Sequence, residues 1–156
     1  MSSKKFMRVA IKKAEEGIRK GQAPFGACLV KNGRIICCAH NTVWKNSDIT
    51  AHAEINVIRS ACKKLRTIDL SGCVIYSTCE PCPMCFGACH WAGLSRIVYG
   101  ARIKDAEKIG FSELKISNRK MKEMSRSPLA VVGGLLRREN LRLFTLWSKR
   151  KDKQIY

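Results

Sequence analysis

Thr50-Ala51-His52-Ala53-Glu54 and, some distance on, Cys79-Glu80-Pro81-Cys82-Pro83-Met84-Cys85 decide how this chain folds and what chemistry it can carry. A neutral imidazole and two thiolates are good zinc ligands, and three protein ligands leave the fourth tetrahedral vertex for water. His52, Cys82 and Cys85 are therefore the candidate ligands of a Zn2+ cofactor. Glu54 stands two residues from His52, near enough to share the pocket yet able to stay off the metal. That makes it the candidate acid–base, taking a proton from water whose acidity the cation has raised. A structural zinc usually takes four protein ligands, and no second Cys-x-x-Cys or His-x-x-x-His is present to complete such a set. A redox Cys-x-x-Cys would not need the His-x-Glu upstream.

Local patterns place these residues on a framework. Phe6, Ala10, Ala14 and Ile18 fall at helical spacing and predict an amphipathic first helix that Gly21 ends. Gly26–Val30 and Arg34–Ala39 flank Asn32-Gly33, a dipeptide suited to a tight hairpin turn. A loop over 41–49 leads to a helix over Ala51–Lys64, with His52 and Glu54 in its first turn, where backbone donors face the pocket. Val74–Ser77 reads as a buried strand. Pro81 begins a new element whose helix runs on to Gly93; there Cys82 and Cys85 share one face, and the positive helix end favours their thiolates. Arg96–Tyr99 is a further strand, Lys104–Phe111 a less regular connection, and Ser117–Met124 a basic helical segment. Leu129–Val132 is the last strand, and a helix over Leu135–Lys149 closes the chain. The order fits a sheet covered by helices, with both ligand-bearing helices entering from one side.

Composition narrows the class. The 156 residues suit one domain with a single core, and no apolar run approaches the roughly 20 residues that span a bilayer. The first residues lack the apolar core of a signal peptide. The nine cysteines are therefore expected in a reducing cytoplasm. Cys28, Cys37, Cys38, Cys62, Cys73 and Cys89 read as small buried hydrophobes; Cys79 is placed near the ligands without being counted among them. The net charge of +18 admits a polyanion partner such as a nucleic acid or simply a solvated basic surface, since the charges are spread over 4–20, 115–126 and 137–153.

With these motifs in hand, the chain resembles the cytidine deaminase superfamily, and within it the guanine deaminase branch; the tRNA adenosine deaminases are the nearest rival. The resemblance rests on the two motifs above, on Pro24-Phe25-Gly26-Ala27, on His90-Trp91-Ala92, on Gly110-Phe111 ahead of an acidic residue, and on the terminal Tyr156. It implies an α/β fold of three layers, α/β/α, with a five-stranded mixed sheet packed by helices. It implies zinc held by His52, Cys82 and Cys85, Glu54 as the catalytic proton shuttle, and a purine substrate. Asn41 then hydrogen-bonds the base, Phe25 and Trp91 line its pocket, and Glu113 meets its amine edge. Tyr156 belongs to a C-terminal segment, about 135–156, that the branch exchanges between the subunits of a homodimer. On the residues alone, Asn41 also suits a turn, Phe25 and Trp91 the core, Glu113 a solvated loop and Tyr156 a frayed end.

Two features depart from the branch. Ile49 stands where proline is usual, and Ser112-Glu113 stands where two aspartates are usual. The reading is hydrolytic deamination of free guanine to xanthine and ammonia. Its rivals are adenosine deamination in tRNA, deamination of another base or nucleoside, and a zinc-stabilised binding module without activity.

Overall fold

A computed structural model describes residues 3–156. Helix α1 (Ser3–Arg19) buries Phe6, Met7, Ala10, Ile11, Ala14, Gly17 and Ile18, the stripe that its periodicity predicts. The stripe lies against the hairpin of β1 (Gly26–Lys31) and β2 (Arg34–His40). Gly26 is required there: a Cβ would stand 2.3 Å from the Ala10 carbonyl oxygen. Asn32 and Gly33 both take positive φ, 49° and 70°, the pair of angles a two-residue turn needs.

β1 also pairs antiparallel with β3 (Cys73–Cys79), whereas β3, β4 (Arg96–Ala101) and β5 (Ala130–Val132) run parallel. The result is a mixed five-stranded sheet in the order β2-β1-β3-β4-β5. Helix α1 and the closing α7 (Arg137–Ser148) pack together on one face; α3 (Ala53–Leu65) and α4 (Pro83–Trp91) pack together on the other. Consecutive β3 residues show the two sides. Tyr76 meets Phe6 of α1 with ring centroids 5.3 Å apart, and Ser77 reaches Glu54 of α3.

Some expectations need correction. The segment expected as an irregular connection over 104–111 begins with a helix, α5 (Ile103–Lys108), because Asp105 closes its first turn by accepting from the Arg102 N–H at 2.7 Å. The loop over 41–49 contains a single-turn helix, α2 (Val43–Asn46). Helix α6 (Asn118–Ser125) is capped by the Ser117 hydroxyl, and β5 starts at Ala130, one residue after the buried Leu129. Cys28, Cys73 and Cys89 are buried as expected, but Cys37, Cys38 and Cys62 are only half-buried. Among the described residues no helix is long and apolar enough to cross a membrane.

Candidate active site

The site lies past the carboxyl end of β3, where its antiparallel neighbour β1 and its parallel neighbour β4 diverge; open α/β sheets place ligands at such crevices. His52 is the N-cap of α3 and Cys82 the N-cap of α4. His52 thus sits just ahead of the helix rather than inside its first turn. Neither side chain caps its own helix, so each is free to reach towards the other. Cys85, in the first turn of α4, completes the group. The His52 Nδ1 lies 3.6 Å from Cys82 Sγ and 3.5 Å from Cys85 Sγ.

A tetrahedral ion with bonds of about 2.05 Å to nitrogen and 2.3 Å to sulfur separates those atoms by about 3.6 Å, so the three side chains fit zinc. All three ligand atoms lie within 4.8 Å of one another. The protons also suit a cation. The hydrogen bond from Cys85 and then that with His52 pull the Cys82 thiol down to about 4. The Cys85 thiol is pushed well up by its bond to Cys82 and by burial, so metal binding must displace its proton.

Glu54 is buried beside this group. Its Oε1 accepts a 2.6 Å hydrogen bond from Ser77, and Oε2 lies 3.5 Å from Cys85 Sγ. Burial raises its pKa against the opposing pull of His52 and Ser77, which makes the carboxyl readier to hold a proton.

The cavity is lined by Phe25, Asn41, His52, Glu54, Cys82, Glu113 and Tyr156. Asn41 is fully buried: its Oδ1 accepts from the Val43 N–H at 3.1 Å, and its Nδ2 donates to the Tyr156 hydroxyl at 2.7 Å. The Tyr156 ring leans on Phe111 and on His52, with centroids 5.3 and 5.5 Å apart. With Tyr156 seated, about 20 Å³ remains free, room for about one water. Glu113 is half-buried, and burial, then the charge of Cys82, lifts its pKa to about 7.

A family model described as the cytidine and deoxycytidylate deaminase zinc-binding region matches residues 1–101. The chain belongs to this deaminase family. Both motifs fall inside the match, and with the ligand geometry they make this a zinc-dependent hydrolytic deaminase. The deaminase is 44% identical over 114 residues to a guanine deaminase of Bacillus subtilis, covering 72% of this chain and 73% of the relative. It is 42% identical over 101 residues to a tRNA-specific adenosine deaminase of Aquifex aeolicus, covering 65% and 67%. A guanine deaminase structure from Nitrosomonas europaea superposes with a TM-score of 0.88 at 30% identity, over 96% of this chain and 86% of that one. A structure from work on A-to-I editing by tRNA:A34 deaminases superposes at 0.78 and 32% identity, over 89% and 98%.

Trp91 does not line the cavity of this deaminase. It ends α4 with 87% of its surface exposed and its ring edge-on to His90. Cys85, Phe86 and Cys89 are the inward residues of α4, and Trp91, two positions past Cys89, lies about 200° round the helix from it. Cys79 is buried with its Sγ 3.6 Å from the Arg102 carbonyl and stands outside the ligand group. The segment ending at Tyr156 covers the cavity of its own chain.

Two contributors escaped sequence reasoning in whole or part. In the sequence Ser77 reads only as the end of a strand, and a hydroxyl closing an apolar run is the one signal it gives. Phe111, whose motif gives it no role of its own, packs edge-on against Phe25 at 5.1 Å, backing the cavity wall.

Proposed function

We propose that this deaminase acts on a free purine base, guanine, releasing ammonia and xanthine. The covering of the cavity by the chain's own terminal Tyr156 is the observation that carries the reading. A single ring system needs only that side chain to shift, whereas a base still attached to a polynucleotide would require the whole terminal segment to leave. Asn41 offers an amide that both donates and accepts, and Glu113 a carboxylate for an amine edge. Phe25 supplies apolar wall.

When bound by His52, Cys82 and Cys85, zinc supplies the Lewis acidity that makes water reactive near neutral pH. Glu54 takes the proton of the attacking water at a carboxylate oxygen, passes it to a ring nitrogen, and helps protonate the departing amine. The Ser77 hydroxyl holds the other oxygen and so fixes the direction of transfer. Burial serves the same end, because a carboxyl with a raised pKa both accepts and returns a proton readily near neutrality.

Ammonia release from free bases, nucleosides and a tRNA anticodon stem-loop, measured side by side with zinc-loaded protein, tests the reading. Guanine alone as substrate is the expected result; release from the stem-loop and not from guanine overturns it. The second reading, adenosine deamination in tRNA, is favoured by the net charge of +18. It requires RNA affinity that falls steeply with salt.

A further inference from the structure

Two cysteines outside the zinc-ligand group face each other across the hairpin. Cys28 of β1 and Cys38 of β2 are directly opposed in the antiparallel register, so their side chains lie on the same face of the sheet. Their Sγ atoms stand 3.3 Å apart. Cys28 has no exposed surface, whereas Cys38 is half-buried and open to a small reagent. We propose that Cys28 and Cys38 form an oxidative modification site, in which a hydroperoxide converts the dithiol into a cross-strand disulfide.

The geometry requires little movement. The two sulfurs need only close from 3.3 Å to the bonded length of about 2.0 Å, and directly opposed residues already hold their Cα atoms within the usual disulfide range of about 4.4–6.8 Å. The neighbouring thiols are not rivals. Cys37 projects to the other face, where its Sγ donates to the Val57 carbonyl at 3.3 Å, and Cys82 and Cys85 are the zinc pair.

The order of events follows from access and charge. The hydrogen bond shared with Cys28, and then the charges of Lys13 and Lys64, favour the thiolate at Cys38. The Cys38 thiolate attacks one peroxide oxygen; the O–O bond breaks, Cys38 becomes a sulfenic acid, and the other oxygen leaves as an alcohol, or water, with one proton. The Cys28 sulfur then attacks the Cys38 sulfur. The S–O bond breaks, the hydroxyl leaves as water with the Cys28 proton, and the S–S bond forms. Two thiols are oxidised by two electrons and one hydroperoxide is reduced. The bond staples the hairpin whose open end carries Phe25 and Asn41, joined there by the Asn41 N–H donating to the Phe25 carbonyl at 3.0 Å.

The test uses zinc-loaded protein, which shields Cys82 and Cys85. Treatment with hydrogen peroxide, alkylation in denaturant and thiol counting should show two of the nine thiols lost, and dithiothreitol should restore them. Trypsin cuts after Lys31 and Arg34, between the two cysteines, so the product should be a pair of linked peptides two hydrogen masses lighter than their sum. Cys38→Ser, at a half-buried site that tolerates a hydroxyl, should abolish the link, while Cys37→Ser should leave it. A raised thermal midpoint that falls back on reduction gives a second readout on the unmodified sequence. Linkage of any other pair, or peroxide treatment that leaves Cys28 and Cys38 both alkylatable or carries Cys38 to a sulfinic acid without linkage, overturns the proposal.

Discussion

The Ser77 hydroxyl, on the central strand β3, donates a 2.6 Å hydrogen bond to Glu54 Oε1 on α3. The bond ties the candidate proton carrier to the sheet rather than to its own helix. A carboxyl that must accept and return a proton at one place gains from a fixed orientation. Glu54→Gln keeps the shape and removes the proton carrier, so kcat should fall about 10²–10⁴-fold. Zinc content by atomic emission should stay near one per chain. Ser77→Ala removes about 1.5 kcal/mol of orienting interaction and should lower kcat about tenfold. Turnover that survives Glu54→Gln would remove the glutamate from the mechanism.

Zinc should also contribute to the fold. His52 and Cys82 begin two separate helices, and Cys85 lies within the second, so one ion would join α3 to α4. Binding to the native state alone stabilises by about 2.7 kcal/mol at a free ion concentration a hundredfold above Kd. At roughly 2–4 °C per kcal/mol for a chain of this size, chelation should lower Tm by about 5–10 °C. Cys85→Ser should reproduce that loss and the loss of ammonia release, with added zinc restoring neither fully.

The His-x-Glu and Pro-Cys-x-x-Cys motifs were legible because metal chemistry restricts residue type and helix geometry restricts spacing. The sheet was legible because its strands are short apolar runs marked off by Asn32-Gly33 and Pro81. The place of Trp91 is not legible from its motif, because a helix rotates about 100° per residue and two positions suffice to carry a side chain from the buried side of α4, where Cys89 lies, to solvent. Helix α5 is hard to read because its start rests on one side chain, Asp105, which closes the first turn and is itself held by Arg137, 32 residues away. The base-reading part is the least legible for a related reason: Glu113 and Tyr156 lie beyond residue 101, where the family match ends, on segments that tertiary packing positions.

Asp105 should make stability depend on acidity. Its buried carboxylate accepts from the Arg102 N–H and forms a two-pronged pair with Arg137, whose Nη2 lies 2.8 Å from Oδ1. The hydrogen bonds from Arg137, and then that from Arg102, hold its pKa below the ordinary value against the effect of burial. A depressed carboxyl contributes stability in full above its unfolded pKa, about 3.9, and that contribution is lost as pH falls through the folded value. Asp105→Asn should cost about 2 kcal/mol at neutral pH. Urea midpoints followed from neutrality down to about pH 3 should show the mutant and the parent converging at the acid end. A constant gap across that range would mean that the carboxylate charge is not what stabilises.

The terminal Tyr156 offers the sharpest test of how the cavity is closed. Its hydroxyl accepts from one of the two Nδ2 donors of Asn41, and the chain leading to it is tied down where the Trp44 indole N–H donates to the Gln154 carbonyl at 3.3 Å. With about 20 Å³ left free, substrate must displace the Tyr156 side chain to reach Asn41. Removing residues 150–156 should free the amide yet open the cavity to water, so kcat should fall more than KM rises. Asn41→Ala should instead raise KM, by about tenfold for a lost hydrogen bond of about 1.4 kcal/mol. The truncated protein, with Glu54 intact, can be mixed with the Glu54→Gln protein, whose terminal segment is intact. Closure within one chain, as the contacts here run, predicts that the mixture stays as poor as the truncated protein alone. Ammonia release restored on mixing would mean that the same Asn41–Tyr156 contact is made between two subunits, which is the exchange expected from the sequence.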